Sequence, residues 1–388
     1  MLPSYQEKYI SQIPALRLLM ALGWTYLPPA EALRLRGGKV RNVILESVLL
    51  DWLRANTHIA YKGRTVAFSE TNLSSIVTEL KNIEVQRGLI PASQEMYERL
   101  TLPIGREQII DGDKRSYNIS VIDWQHPENN VYHVTDEFSV ERRGTTTARR
   151  PDIVLFVNGI PLVVIECKCP DKQASTGETS IADAVSQLLR YQGLDDEIPH
   201  LFLTAQMLMA INTNEALYST IRTPKDFWAV WQEEGQDDAA LMPLINRPLT
   251  PAQKDQMYSG RDDGGGLRRY FDMQEQAGPR LPTVQDRALA ALLSPARLLE
   301  LAYQYIVYDN GQKKIARYQQ YFAITAAMQR VTQVDDDGRR LGGLIWHTTG
   351  SGKSLTMVML AKALALHATI RNPRVVIVTD RIDLDAQI

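Results

Sequence analysis

Two carboxylates and a lysine flank two apolar runs in PDIVLFVNGIPLVVIECKCP (151–170). Asp152 precedes the first run, and Glu166 and Lys168 close the second. Ionisable groups are costly to bury beside apolar strands unless they are paired or hold a metal. Asp152 and Glu166 offer hard oxygen ligands that can hold Mg²⁺ while leaving positions for water and a phosphate. A metal held there lowers the pKa of water and neutralises charge on a phosphate under attack. Lys168, a compact cation on a flexible stem, can orient that water or stabilise the developing charge.

The elements that must position these groups are two strands. Residues 152–157 and 161–168 are rich in β-branched and apolar side chains, with Asn158-Gly159 between them. A two-residue Asn-Gly turn would pair Val157 with Ile160 and Asp152 with Ile165, sending Glu166 to the other face. A three-residue loop, Asn158-Gly159-Ile160, pairs Val157 with Pro161 and sets Asp152 opposite Glu166. The second register is expected, with Pro161 at a strand start, where it is tolerated. Glu166 and Lys168 then share a face with Asp152, and Cys167 points into the packing behind.

The Pro-Asp, the hairpin and the Glu-x-Lys together resemble the P-D…E-x-K core of Mg²⁺-dependent nucleases. Downstream, IADAVSQLLRYQ (181–192) has helical spacing, and Gln187 and Tyr191, four apart, project from neighbouring points of one face. Gln-x-x-x-Tyr after an E-x-K strand resembles a motif of RecB-like and type I restriction nucleases, where it is associated with DNA contacts beside the metal. Glu7 lies on an amphipathic N-terminal helix (4–24). Related nucleases often carry a helical glutamate near the metal, but here it reads as an exposed helix charge.

The chain has 388 residues, 44% of them hydrophobic, enough for a large core and more than one domain. A net charge of −2 excludes a globally basic nucleic-acid binder. DNA contacts must therefore come from local patches such as Arg142, Arg143, Arg149 and Arg150. Cys167 and Cys169, two apart on one strand, fit neither zinc spacing nor a disulfide framework and read as reduced thiols. The sequence shows no stretch of transmembrane length and no signal peptide, so a cytoplasmic protein without a membrane partner is expected.

Residues 1–24 and 39–56 are expected to be helical, 108–141 strand-like, and HLFLTAQMLMAIN (200–212) further strand. From 232 to 282 charge, proline and glycine mark a connecting region or long loop. Beyond it, LGGLIWHTTGSGKSLTMVMLAKALAL (341–366) reads strand, glycine-rich turn, helix. Its Thr348-Thr349-Gly350-Ser351-Gly352-Lys353-Ser354 is a P-loop: backbone N–H groups wrap phosphate, Lys353 reaches the β- and γ-phosphates, and Ser354 ligates Mg²⁺. His347 stands where the full pattern has glycine, a relaxation common in helicase-type ATPases. Gln320, in RYQQYFAITAAM (317–328), resembles the upstream glutamine that reads adenine in superfamily 2 helicases. PRVVIVTDRIDLDAQI (373–388) resembles the strand and Asp380-Arg381 of the next helicase motif.

Taken together, these motifs resemble the restriction (R) subunit of type I restriction–modification enzymes, the HsdR family, over nearly the whole chain. That resemblance implies an α/β fold with a PD-(D/E)xK restriction-endonuclease-like domain (1–231). A connecting region (232–282) and the start of a RecA-like helicase domain (283–388) would follow. It implies ATP-dependent endonuclease chemistry with Mg²⁺ and ATP as cofactors. Asp152, Glu166 and Lys168 would cut, with Gln187 and Tyr191 on DNA, and Gln320, Thr349, Gly350, Ser351, Gly352, Lys353 and Ser354 would hold ATP. The implied partners are double-stranded DNA and the methyltransferase (M) and specificity (S) subunits. No D-E-x-H segment or second RecA-like domain follows Lys353, so a truncated motor that binds nucleotide without useful hydrolysis is expected. A non-cleaving DNA-binding remnant and a RecB-like repair nuclease–helicase are the alternatives, and the nuclease-first order argues against the latter.

Overall fold

The computed structural model describes residues 6–170, 179–233, 235, 237–259, 265–348, 350–370 and 372–378. The chain opens with a π-helical turn, Lys8–Gln12, that runs into α1 (Ile13–Ala21). β1 (Thr25–Tyr26), α2 (Pro29–Leu35) and α3 (Glu46–Asn56) follow. Next comes a lobe of two hairpins and two helices. It comprises β2 (His58–Tyr61) with β3 (Arg64–Ala67), α4 (Glu70–Lys81), α5 (Leu89–Thr101), and β4 (Ile104–Ile110) with β5 (Asp113–Ile119).

The chain then enters the central sheet with β6 (Tyr132–Asp136). A short pair, β7 (Val140–Glu141) and β8 (Ala148–Arg149), precedes β9 (Ile153–Val157) and β10 (Ile160–Cys167). After α6 (Ser180–Tyr191) and α7 (Pro199–Thr204), β11 (Met207–Asn212) and β12 (Glu215–Ser219) complete the sheet. Its order is β1-β6-β9-β10-β11-β12, mixed in sense: β1 runs parallel to β6 and β10 to β11, and the other pairs are antiparallel. The fold is thus mixed α/β around a mixed sheet.

Every residue of β9, β10 and β11 is buried, as the near-continuous apolar sequence of these strands requires when both faces are covered. α6 packs on β10 and β11, and its buried Ile181, Ala184, Val185, Leu188 and Tyr191 form one stripe. Thr179 caps this helix by accepting from the Ala182 amide at 3.4 Å. α1 packs on β6 and on α11 (Val284–Leu293), a helix from much later in the chain.

The hairpin between β9 and β10 differs from the expected one. The connection is the two-residue turn Asn158-Gly159, both at positive φ (51° and 81°), with Val157 paired to Ile160. A β-bulge then falls between Pro161 and Val163, so Leu162 is the extra residue and Ile165 pairs with Ile153. One step further along, Glu166 comes opposite Asp152. A two-residue turn plus a one-residue bulge gives the same offset as a three-residue loop. Pro161, which has no N–H to donate, sits at the irregularity.

Residues 200–212 also differ from the all-strand expectation. Pro199 starts the short helix α7, and only 207–212 is strand. Among its described residues the 232–282 region, expected as a connection, carries three helices: α8 (Asp238–Ile245), α9 (Pro251–Tyr258) and α10 (Gly266–Ala277). α8 packs on α1, Tyr258 of α9 stacks on Phe271 of α10, and Tyr9 lies edge-on to Tyr270 of α10 at 5.0 Å. After α11 come α12 (Pro295–Gln304), the hairpin β13 (Ile306–Asp309) and β14 (Gln312–Ile315), α13 (Tyr318–Val331) and α14 (Lys353–Leu366). Buried Lys313 of β14 donates to the Ala205 carbonyl at 2.9 Å and to Gln206 Oε1 at 2.8 Å, fastening this hairpin to the entry of β11.

Residues 341–347, expected as a strand, form no regular element, and Leu344 and Trp346 are 85% and 86% exposed. Residues 373–378 likewise run without strand structure, with Val376 and Val378 each 83% exposed. Strand conformation is sustained by ladder partners. Among the described residues no strand lies alongside either segment. Asp380 and Arg381 lie outside the described residues. No helix among those described is long and apolar enough to cross a membrane.

Candidate functional site

Asp152, Glu166 and Lys168 meet at one end of the β9–β10 hairpin. Asp152 lies one residue before β9, and its carboxylate Oδ2 accepts from the Cys167 amide at 2.7 Å. Glu166 is 1% exposed, and its Oε1 accepts from Lys168 Nζ at 2.9 Å. Side-chain alternation turns Cys167 the other way, where its thiol meets Ser11.

Gln187 and Tyr191, one turn apart on α6, join this cluster. The Gln187 amide nitrogen donates to Glu166 Oε1 and also lies 2.7 Å from the Tyr191 hydroxyl. Glu7, expected as an exposed helix charge, instead reaches the site: its Oε2 lies 3.9 Å from Lys168 Nζ. The π turn that follows Glu7 carries two buried polar residues, Ser11 and Gln12, neither of which was singled out from the sequence. The available signal was their position within a run otherwise apolar toward the core, between Ile10 and Ile13.

Electrostatics mark the cluster as short of positive charge. Burial, and then the neighbouring Glu166, raises the Asp152 carboxyl well above the usual carboxylate range. Burial also pushes Glu166 up to about 7, against the lowering effect of Lys168. Burial disfavours the Lys168 ammonium, but the Glu166, Glu7 and Asp152 carboxylates outweigh it and the pKa rises. Lys168 is therefore a fixed cation rather than a base.

The cluster fits a hard divalent cation on one direct observation. Glu166 Oε2 is buried with no hydrogen-bond partner, a cost that a metal ligand would not carry. Among the described residues no three His, Cys, Asp or Glu side chains come together as a ready cage. Mg²⁺ does not need one, since it commonly takes one or two carboxylates and completes its shell with water and substrate phosphate.

The expected arginine patch is largely committed elsewhere. Arg149 forms a two-pronged pair with Glu197 at 2.8 and 2.5 Å, and its guanidinium lies 5.8 Å from the Tyr191 ring centre. Arg143 donates to the Leu194 carbonyl at 2.8 Å, and Arg142 to that of Asp196. These contacts tie the β7–β8 connection to the turn after α6, leaving Arg150 exposed.

The second group of residues surrounds the start of α14. Gly350 and Gly352 adopt φ of 81° and 83°, as a loop turning its amides inward needs. Lys353 Nζ folds back on the loop, donating to the His347 and Thr348 carbonyls at 3.1 and 3.3 Å. Ser351 Oγ donates to the Thr348 carbonyl at 2.8 Å, and Lys353 opens the helix with Ser354 next to it in the first turn. Gln320 is buried; its Oε1 accepts from the Arg317 amide at 2.8 Å and its Nε2 donates to the Gly352 carbonyl at 3.2 Å. Thr349 lies outside the described residues.

Comparison with known proteins places both groups of residues in matched regions. Residues 4–227 match the family described as type I restriction enzyme R protein N terminus, and residues 319–388 match that described as SWI2/SNF2 ATPase. The type I restriction enzyme HindI endonuclease subunit of Haemophilus influenzae is 25% identical over 98% of this chain and 32% of its own length. The type I restriction enzyme SauCOLORF180P endonuclease subunit of Staphylococcus aureus is 25% identical over 74% of this chain and 24% of its own. The candidate type I restriction enzyme MjaVIIP endonuclease subunit of Methanocaldococcus jannaschii is 30% identical over 74% of this chain and 23% of its own. The chain thus spans about a third or less of these relatives.

Proposed function

Because the chain belongs to the family of type I restriction enzyme R protein N-terminal regions, we propose that Asp152, Glu166 and Lys168 form a PD-(D/E)xK site that cuts DNA. The observation that carries this reading is two acids buried together: Glu166 Oε2 accepts from no donor, and the carboxyl beside it is that of Asp152. Asp152 and Glu166 are the residues that would hold Mg²⁺. When bound, the ion would lower the pKa of water and neutralise charge on the scissile phosphate. Lys168, kept charged by the carboxylates around it, stabilises negative charge developing on the phosphate oxygens. Gln187 fixes the Glu166 rotamer through Oε1, and Tyr191 in turn holds the Gln187 amide.

We further propose that the loop before α14 binds ATP with Mg²⁺. Lys353 would take the β- and γ-phosphates, Ser354 would ligate the ion, and Gln320 would face the nucleotide beside Gly352. The substrate is double-stranded DNA, and the partners are the methyltransferase and specificity subunits of a type I restriction–modification complex. Nicking of supercoiled plasmid by the purified chain tests the cutting site. Mg²⁺-dependent nicking should fall by at least about 10²-fold in Asp152→Ala, as expected when metal-centred charge stabilisation is lost. Equal activity in wild type and variant, whether high or nil, would remove the nuclease assignment.

A further inference from the structure

Asp152 lies in a bend outside the regular strand, so the direction of its carboxylate depends on what grips its backbone. Two donors converge on its carbonyl oxygen: the Glu137 amide at 3.0 Å and Gln12 Nε2 at 3.1 Å. Gln12 Nε2 also lies 3.5 Å from Glu137 Oε1. Gln12 is 2% exposed and belongs to the π turn Lys8–Gln12, whose wider winding brings Ser11 and Gln12 inward together. Single π turns inside helices recur at functional sites.

This turn is itself held from far along the chain. Ser11 Oγ donates to Gln285 Oε1 at 2.7 Å, and Gln285 Nε2 donates back to the Ser11 carbonyl at 3.0 Å. Both residues are buried, and Gln285 sits at the start of α11, 274 positions away. A reciprocal pair of buried bonds leaves neither side chain free to turn, because each alternative strands a polar group.

We propose that Gln12 is a positioning residue for Asp152, and that the Ser11–Gln285 pair locks Gln12 in place, so that the cutting site is completed by α11. The inference rests on the cutting-site reading above. It implies that residues 4–227 do not by themselves carry every contact that aims the Asp152 carboxylate. The Cys167 amide holds Oδ2, and Gln12 and Glu137 hold the carbonyl, so both ends of Asp152 are fixed by donors from outside its own bend.

The test is Mn²⁺ binding to the full purified chain, read from the loss of the free-ion electron paramagnetic resonance signal, alongside thermal midpoints. Asp152→Ala should abolish binding. Gln12→Met, which keeps volume but removes the donor, should weaken it by about 10–100-fold, the usual cost of losing an outer-shell partner. Gln285→Leu, which contacts neither Asp152 nor its strand, should weaken it in the same direction and serves if Gln12→Met does not fold. A residue that only glued helix to sheet would lower the thermal midpoint and leave Mn²⁺ affinity unchanged. Wild-type affinity in folded Gln12→Met and Gln285→Leu, with binding lost in Asp152→Ala, overturns this inference alone. Wild-type affinity in Asp152→Ala, or no Mn²⁺ uptake by the wild type, overturns the cutting-site reading and this inference with it.

Discussion

Gln187 donates its side-chain amide to Glu166 Oε1, the same oxygen that takes the Lys168 ammonium, and Oε2 is left buried and unpartnered. Both donors thus crowd onto one oxygen, and the other is left without a donor. Gln187→Ala should release this rotamer and raise the Mg²⁺ concentration for half-maximal nicking by about 10–100-fold. The thermal midpoint should move by no more than about 2–4 °C, since Gln187 is only part-buried. An unchanged Mg²⁺ requirement would mean that the glutamine serves DNA alone.

The carboxylates make a prediction about pH. Burial raises the Glu166 carboxyl from 4.5 to about 7, and raises Asp152 in the same direction. A group with a raised folded-state pKa contributes its stability in full below the unfolded value and loses it as pH climbs through the folded one. The metal-free chain should therefore lose stability as pH rises from about 4.5 through 7. Metal binding requires the deprotonated carboxylates, so the Mg²⁺-induced rise in thermal midpoint should be larger at about pH 8 than at about pH 5.5. Glu166→Gln should raise the metal-free stability at about pH 8 by on the order of 1–3 kcal/mol and abolish the response to Mg²⁺. Calorimetric scans at the two pH values, with and without Mg²⁺, decide it, and a response independent of pH would contradict the assignment.

Gly159 makes the hairpin possible. It sits at φ 81°, its carbonyl accepts from the Leu45 amide at 2.8 Å, and an added Cβ would lie 2.5 Å from the Leu45 carbonyl oxygen. Gly159→Ala combines left-handed strain with a backbone clash that no side-chain rotation relieves, and should cost about 2–4 kcal/mol in urea unfolding. Gly112 is the control: its φ is 82° and nothing lies within 4 Å, so Gly112→Ala should cost only about 1 kcal/mol. Equal costs at the two positions would show that backbone strain, not the approach of α3, limits the turn.

That same turn explains what could and could not be read from the residues. The two strands, the helix carrying Gln187 and Tyr191, and the facing of Asp152 and Glu166 follow from local pattern. The route to that facing does not. A bulge at Leu162 and a turn pinned under Leu45 and Val48 are tertiary events, and no spacing within 151–170 announces them. Glu7 reads as an exposed charge, and Ser11 and Gln12 do not stand out, for a related reason. A polar residue on an amphipathic helix reads as solvent-facing unless its partner is known, and Gln285 is 274 residues away from Ser11. The apolar runs at 341–346 and 375–378 show the converse: β-propensity was legible, but the described chain sets no strand beside them.

The loop before α14 carries the last prediction. Lys353 spends its donors on the His347 and Thr348 carbonyls, and phosphate would compete for that ammonium with a stronger, charge-assisted partner. Lys353→Ala should reduce binding of a fluorescent ATP analogue by at least about tenfold, as losing a hydrogen bond to a charged group costs about 1.5–3 kcal/mol. It should leave Mg²⁺-dependent nicking intact, because Lys353 makes no contact with the Asp152 cluster. Gly352→Ala tests the loop by another route: φ is 83°, and a Cβ would come 2.6 Å from Gln320 Nε2. Moving Gln320 breaks its bond to the Gly352 carbonyl, so nucleotide binding should fall here as well, with the lysine still present. Undiminished analogue binding in Lys353→Ala would mean that phosphate is not held at this helix start. Loss of nicking together with binding in that variant would show that the two sites are energetically coupled.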